Sequence, residues 1–124
     1  MANELVLIVE DNEKNRKLAR KILEKKGYRT LEVETGEEAV DAARREKPAI
    51  ILMDYQLPGI DGIEAFRRIR ADASIPHMPI VAVTASAMPE DTARMRDAGF
   101  DGFETKPINV QQLLATVDRL LAAK

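Results

Sequence analysis

The sequence predicts an α/β fold, a three-layer α/β/α sandwich of the (βα)5 kind in which five parallel strands alternate with five helices. Apolar runs rich in Val, Ile and Leu recur near residues 5–9, 28–33, 49–53, 79–83 and 101–105. The segments between them repeat apolar residues at helical spacing. Strands that alternate with helices form a parallel sheet covered on both faces. The 124 residues suit one hydrophobic core, so we expect residues 1–124 to form a single domain.

The first unit is the apolar strand 5–9 followed by a helix from Asn12 to Lys26. Asp11 or Asn12 can cap the start of this helix, and Gly27 can end it. Its expected buried face consists of Leu18, Ala19, Ile22 and Leu23. The helix also carries seven basic residues, Lys14, Arg16, Lys17, Arg20, Lys21, Lys25 and Lys26. For these we expect a mostly solvated face, with a contribution to partner docking as the alternative.

The second and third units repeat the pattern. A strand at 28–33 precedes a helix over 36–46, and an apolar strand at 49–53 precedes a helix over 62–71. The third strand ends in Asp54, before a Pro58-Gly59 turn. The inward residues of the two helices are expected to be Ala39, Val40 and Ala43 in one, and Ile63, Phe66 and Ile69 in the other.

The last two units complete the sheet. The strand at 79–83 leads to a helix that begins at Pro89, a favoured first helical position, and ends before Gly99. The shorter strand at 101–105 leads to a final helix over 110–121. Its apolar residues are Leu113, Leu114, Val117, Leu120 and Leu121. Because the first, third and fourth strands are continuous apolar runs, we expect them to be the central ones.

Composition excludes several classes of protein. The chain has no cysteine, which excludes disulfides, zinc–thiolate sites and thiol catalysis. The 19 basic and 21 acidic residues give a net charge of −2, so neither nucleic acid nor an anionic membrane is generally attracted. No signal peptide is visible, and no apolar run approaches the ~20 residues of a membrane span. We therefore expect a soluble, cytoplasmic protein with no nucleic-acid or membrane partner.

Acidic residues follow two of the predicted central strands. Glu10 and Asp11 end the first strand, and Asp54 ends the third. In such folds ligands bind beyond the carboxyl ends of the strands, so these three carboxylates are expected in one crevice. Clustered carboxylates disfavour one another's ionisation unless a cation is present. Mg²⁺ prefers oxygen ligands, and the sequence therefore indicates a hard divalent metal and phosphate chemistry.

Two further polar residues end the fourth and fifth strands, Thr84 the fourth and Lys106 the fifth. Lys106 supplies a charge that can hold a phosphate oxygen, and Thr84 supplies a hydroxyl donor. Asp54 is then available as a nucleophile towards phosphorus, giving an acyl phosphate. Each residue alone also suits a structural role, such as a helix cap for Asp11 or a turn residue for Asp54, but five of them at strand ends favour a site. The only histidine, His77, is expected in an exposed loop without a relay role.

These residues resemble the response-regulator receiver domain of two-component signalling. The matching motifs are Glu10-Asp11, Asp54 followed by Leu57-Pro58-Gly59-Ile60-Asp61-Gly62, Thr84-Ala85 and Lys106-Pro107. The resemblance covers essentially the whole chain, and segments 9–12, 83–88 and 106–108 are similar to single-domain members of the family. It implies a flavodoxin-like sheet with strand order 2-1-3-4-5. Leu57 and Ile60 stand where the family often has Met.

The resemblance also implies a reaction. Asp54 would accept a phosphoryl group from a sensor histidine kinase or a histidine phosphotransfer protein, with Lys106 and Thr84 binding phosphoryl oxygens. Small Ala85 would leave room for these oxygens. Mg²⁺ would be held by Glu10, Asp11, Asp54 and the backbone carbonyl of Gln56. The domain would be a signalling module that assists its own phosphorylation and dephosphorylation rather than an enzyme in the usual sense.

The output implied by the resemblance is a switch. Thr84 would move inward and Phe103, at a position often held by Tyr, would rotate into the vacated space. This would reshape the face of the fourth helix, fifth strand and fifth helix, which would bind a downstream protein; a homodimer is left open. The resemblance also implies a cis Lys106–Pro107 bond.

Rival classes fit less well. A phosphatase of the haloacid-dehalogenase type needs a second acid two residues after its nucleophile, where this chain has Gln56. A flavodoxin needs a phosphate loop rich in hydroxyls and amides after the first strand, where the acids at 10–13 would repel phosphate. The P-loop motif is missing. A degenerate receiver, used only as a phosphorylation-independent docking module, remains the alternative.

Overall fold

The computed structural model describes residues 3–85 and 88–122, in which five strands alternate with five helices. The strands are β1 (Leu5–Val9), β2 (Arg29–Val33), β3 (Ile50–Asp54), β4 (Ile80–Thr84) and β5 (Gly102–Thr105). The helices are α1 (Glu13–Lys25), α2 (Gly36–Glu46), α3 (Gly62–Ala71), α4 (Pro89–Ala98) and α5 (Val110–Ala122). All strand pairs are parallel, in the order β2-β1-β3-β4-β5. The predicted fold class, strand order and central strands are confirmed.

Two apolar cores lie on the two faces of the sheet. Side chains of a strand alternate between faces, so Leu7 and Val9 of β1 join one core while Val6 and Ile8 join the other. The first core contains residues of α2, α3 and α4, and the second contains residues of α1 and α5. This gives the predicted three layers. It also leaves the carboxyl ends of the strands at one exposed edge.

Helix caps start three helices close to the carboxyl edge. Asn12, Thr35 and Asp61 are the N-caps of α1, α2 and α3, and each side chain accepts the backbone N–H of the residue three positions later. A polar side chain in this position satisfies an N–H that the helix leaves unpaired. The caps therefore fix where the loops after β1, β2 and β3 end.

Gly62 lets α3 begin directly against the end of β3. Its N–H donates to the carbonyl of Tyr55 at 3.0 Å. A Cβ at this position would lie 2.6 Å from the carbonyl oxygen of Asp54 and 3.0 Å from the Cα of Tyr55. Because both contacts are with backbone, no side chain can be accommodated without moving the end of β3. A glycine is thus required to hold the backbone of Asp54 in place.

Leu18 and Thr116 differ from the apolar patterns predicted for α1 and α5. Leu18, expected on the inner face of α1, is exposed, because Ala19, Ile22 and Leu23 alone form the stripe that meets the sheet. Thr116 of α5, which the apolar pattern did not include, is buried because its hydroxyl donates to Glu104 at 2.6 Å. His77 is exposed, as predicted. Over residues 3–85 and 88–122, no helix has the length and apolar content needed to cross a membrane.

Asp72 is expected to titrate at an unusually low pH. Its carboxylate accepts the hydroxyl and N–H of Ser74 and the Nε of Arg44, and these contacts lower its pKa to about 2. A depressed pKa in the folded state stabilises the fold above the ordinary Asp pKa, and this stability is lost as the pH falls towards 2. An NMR titration of the carboxyl carbon should give this midpoint. Ser74→Ala and Arg44→Gln should each raise this pKa; an ordinary midpoint in the parent would contradict the assignment.

Candidate functional site

The predicted site residues meet at the carboxyl edge of the sheet. The N–H of Glu10 donates to the carbonyl of Val33 at 3.1 Å, which continues the β1–β2 ladder by one residue. The N–H of Lys106 donates to the carbonyl of Thr84 at 2.7 Å, which does the same for β4 and β5. Asp54 is the last residue of β3. The backbone of the sheet therefore sets the positions of the four site residues, which are Glu10, Asp54, Thr84 and Lys106.

A lysine joins two buried carboxylates at this edge. The Nζ of Lys106 lies 2.8 Å from the Oε1 of Glu10 and 2.9 Å from the Oδ2 of Asp54. The remaining oxygens accept backbone N–H groups, Glu10 from Asn12 and Asp54 from Gln56, each at 3.1 Å. Burial alone would lower the pKa of Lys106, but its hydrogen bonds to the two carboxylates outweigh burial and raise the pKa above the ordinary value. The ammonium group is thus held in its charged form.

The acids at this edge form a set of donors suited to a hard cation. Glu10, Asp11 and Asp54 each offer a carboxylate oxygen, and the three oxygens lie within 4.8 Å of one another. Glu10 and Asp54 are buried, whereas Asp11 is exposed. Three carboxylates face one ammonium group, so negative charge is in excess. All-oxygen donors with excess negative charge fit Mg²⁺, which binds one or two carboxylates and keeps several waters.

The predicted switch residues lie on neighbouring strands and the same face of the sheet. Thr84 ends β4 and is buried, while Phe103 of β5 is 40% exposed. Phe103 is in register with Ala82, and Thr84 with Thr105. Since alternate residues share a face, Thr84 and Phe103 both lie on the side of α4. Ala85 follows Thr84 and is exposed; Ser86 and Ala87, part of the predicted 83–88 motif, lie outside the described residues.

One residue close to the site was not recognised in the sequence. Arg16, expected on the solvated face of α1, is largely buried and donates to the backbone carbonyls of Glu10 and Asp11. The sequence did not indicate this role, because a basic residue on a highly charged helix cannot be distinguished by pattern from its exposed neighbours. The Lys106–Pro107 bond is cis, as predicted.

A parallel 2-1-3-4-5 sheet with acids and a lysine at its carboxyl edge defines a flavodoxin-like domain of the receiver type. The profile of the response regulator receiver domain matches residues 6–118. The chain belongs to this family, which acts in two-component signalling.

The chain is similar to known proteins over nearly its whole length. The polar-differentiation response regulator DivK of Brucella anthropi is 43% identical over 116 residues, which cover 94% of each chain. The receiver domain of a sensor histidine kinase from Pseudomonas aeruginosa PAO1 is 36% identical, with a TM-score of 0.89 over 98% of this chain and 99% of that one. That structure has a magnesium ion in its active-site cleft. A CheY-like receiver domain protein from Methanospirillum hungatei is 27% identical, with a TM-score of 0.87 over 98% of this chain and 96% of that one.

Proposed function

We propose that this receiver domain is a phosphoacceptor, in which Asp54 takes a phosphoryl group from a sensor histidine kinase or a histidine phosphotransfer protein in a Mg²⁺-dependent reaction. One observation carries the proposal: the buried carboxylate of Asp54 contacts Lys106 and lies within 4.8 Å of oxygens of Glu10 and Asp11. A buried carboxylate of purely structural use would need the lysine as its counter-ion but not two further acids beside it.

The reaction is a transfer between two nucleophiles. An oxygen of Asp54 forms a bond to phosphorus while the bond from phosphorus to the histidine nitrogen breaks. The electron pair remains on the imidazole, which ends as neutral histidine after protonation, and the product is an acyl phosphate. In transfers of this kind, positioning and charge neutralisation provide nearly all the catalysis.

The site residues have separate proposed roles in this reaction. The N–H of Gln56 and the ammonium of Lys106 hold the two oxygens of Asp54 and so orient the nucleophile. Thr84, the last residue of β4, and Lys106, which follows β5, are proposed to bind phosphoryl oxygens. Glu10, Asp11, Asp54 and the backbone carbonyl of Gln56 are the proposed holders of Mg²⁺. When bound, the metal supplies charge neutralisation for the phosphoryl oxygens.

Output is proposed to pass from Thr84 to Phe103 and onto the face of α4, β5 and α5. Phosphorylation adds a charge of about −1.5 to −2 beside the end of β4. A contact from Thr84 to the phosphoryl group would draw the hydroxyl inward, and Phe103 would fill the space. That face would then bind a downstream protein, or a second copy of the chain.

Incubation with Mg²⁺ and acetyl phosphate, followed by intact mass spectrometry, tests the proposal against the docking-only alternative. We expect a gain of one phosphoryl group that is absent when EDTA replaces Mg²⁺. No gain from acetyl phosphate or from a panel of phosphorylated kinases would favour the docking module.

Asp11→Ala is expected to abolish Mg²⁺ binding and phosphorylation without loss of stability. Asp11 is an exposed acid within a cluster of like charges, so its removal relieves repulsion worth about 1 kcal/mol at this range in a well-solvated site. Mg²⁺ titration followed by amide NMR shifts, with chemical denaturation in parallel, measures both effects. Glu13→Ala, which removes an exposed acid from the first turn of α1, is the control. Normal Mg²⁺ binding by Asp11→Ala would contradict the proposed ligand set.

Thr84→Ala is expected to separate phosphorylation from output. In the parent, beryllofluoride with Mg²⁺ should shift NMR signals of Thr84, Phe103 and α4 more than those of α2. Loss of the hydroxyl should leave phosphorylation measurable but weaken the remote shifts, because this hydroxyl is the proposed link to Phe103. The coupling free energy between linked sites is typically about 1–3 kcal/mol. Remote shifts of equal size in the variant and the parent would show that Thr84 does not link the site to Phe103.

A further inference from the structure

We propose that Arg16 is a positioning residue for the metal site, acting through the β1–α1 loop (residues 10–12) that carries Glu10 and Asp11. The proposal rests on the proposed function, since it assigns a role towards Mg²⁺ binding. Arg16 lies on α1, in the first two turns, and touches neither the carboxylate of Asp54 nor that of Asp11 in the described structure. Its contacts are with the backbone that presents the ligands.

The guanidinium group of Arg16 holds two consecutive carbonyls of this loop. Its Nη1 donates to the carbonyl of Glu10 at 2.9 Å and to that of Asp11 at 3.1 Å. Within residues 3–85 and 88–122, no backbone N–H donates to either carbonyl. Arg16 is therefore the protein donor for both, and these carbonyls belong to the residues whose side chains form the acid cluster.

Carboxylates of β2 and the loop after it hold Arg16 in turn. The Nε of Arg16 lies 3.4 Å from Glu32, and its Nη1 lies 4.0 Å from Glu34. Only 13% of the Arg16 side chain is exposed. The planar guanidinium presents its donors in a fixed fork, so it loses less freedom for each hydrogen bond formed than a lysine does. Arg16 thus connects the edge strand to the metal-binding loop.

The other basic residues of α1 show that this role is particular to Arg16. The four lysines of α1 and the lysine at its C-cap are exposed: Lys14, Lys17, Lys21, Lys25 and Lys26. Arg20 shares Glu32 with Arg16 through a 2.9 Å ion pair, but its hydrogen bond goes to Glu32 rather than to the loop. Arg20 is therefore a matched control: it has the same charge, helix and carboxylate partner, without the contact to the ligands' backbone.

Charge and positioning predict opposite results for Arg16→Gln. Removing a positive charge near three acids should strengthen Mg²⁺ binding if Arg16 acts only through its field. If Arg16 holds the loop, its loss lets Glu10 and Asp11 leave the binding arrangement, and Mg²⁺ should bind more weakly. Partners that orient metal ligands typically contribute about 10- to 100-fold in affinity. The sign of the change thus separates the two roles.

The test is a Mg²⁺ titration followed by amide NMR shifts of Asn12 and Gln56. We expect Arg16→Gln to bind about 10-fold more weakly than the parent, and Arg20→Gln to bind within about twofold of it. Arg16→Lys should be intermediate. With acetyl phosphate, Arg16→Gln should need more Mg²⁺ for half its maximal phosphorylation rate yet regain the parental rate at saturation, a split that a general loss of structure would not produce.

Other outcomes overturn the proposal in distinguishable ways. Parental or tighter Mg²⁺ binding by a folded Arg16→Gln variant refutes the positioning role and leaves the proposed function intact. Failure of the parent itself to bind Mg²⁺ refutes the proposed metal site, and this role with it. If Arg16→Gln does not fold, Glu32→Gln is compared with Arg20→Gln. Both lose the Arg20–Glu32 pair, but only Glu32→Gln loosens Arg16, so equal affinities would refute the proposal.

Discussion

Asp54→Asn should abolish phosphorylation. Asparagine keeps the size of the side chain and can still accept the N–H of Gln56, but its amide is no nucleophile towards phosphorus. We expect the variant to gain no phosphoryl mass from acetyl phosphate or from a phosphorylated kinase under conditions that convert the parent. We expect the loss to be complete, because the other acids of the cluster are the proposed metal holders.

Asp61→Asn is the matched control for this result. Asp61 is an exposed acid that follows β3 by a few residues and caps α3, and Asn is an equally good cap. The control should therefore fold and become phosphorylated like the parent. Phosphoryl gain of equal extent in Asp54→Asn and the parent would refute the assignment of Asp54.

Lys106→Met should destabilise the fold by about 3 kcal/mol in metal-free buffer at neutral pH. This value is near the lower limit for breaking a buried ion pair, because 18% of the Lys106 side chain is exposed. Methionine keeps much of the length of the side chain but leaves Glu10 and Asp54 buried without their cation. Chemical denaturation in the presence of EDTA measures the change. EDTA is needed because a bound cation would partly replace the ammonium group.

Lys17→Met is the control for the loss of a lysine. Lys17 pairs with Glu13 at 3.5 Å, and both side chains are more than half exposed, so its loss should cost less than about 0.5 kcal/mol. An equal small effect in both variants would show that Lys106 does not hold the buried acids.

The effect of Lys106→Met should also depend on pH. The folded state raises the pKa of Lys106, so its ammonium contributes its full stability below the ordinary lysine pKa of about 10.4. That contribution is lost as the pH rises through the raised pKa. The difference in unfolding free energy between parent and variant should thus be constant near neutrality and shrink in strongly alkaline buffer. A difference that grows with pH in that range would contradict the stated direction.

Elements and strand ends could be predicted because their signals are local. Apolar runs mark the strands, and a cap, Pro89 and Gly99 mark helix ends. Once the strands are parallel, geometry alone brings Glu10, Asp54 and Lys106 to one edge. The presence of the three at that edge therefore follows from the pattern of the sequence, before any side-chain packing is known.

The residues that were missed depend on contacts between distant segments. Leu18 lies next to the buried stripe of α1, and only the angle of the helix on the sheet decides its exposure. Thr116 is buried because Glu104, on another element, turns towards α5 and accepts its hydroxyl. Arg16 is ordered by Glu32, on β2. No periodicity within one helix contains this information, since charge and polarity alone predict exposure.

Locating the phosphoryl group on the chain tests the central claim most directly. The parent is treated with acetyl phosphate and Mg²⁺, reduced with borohydride, which converts an aspartyl phosphate to homoserine, and mapped by peptide mass spectrometry. We predict homoserine at position 54 alone, and none when EDTA replaces Mg²⁺. Modification of another acid to the same extent, or modification at Asp54 that is unaffected by EDTA, would contradict a metal-dependent phosphoacceptor centred on Asp54.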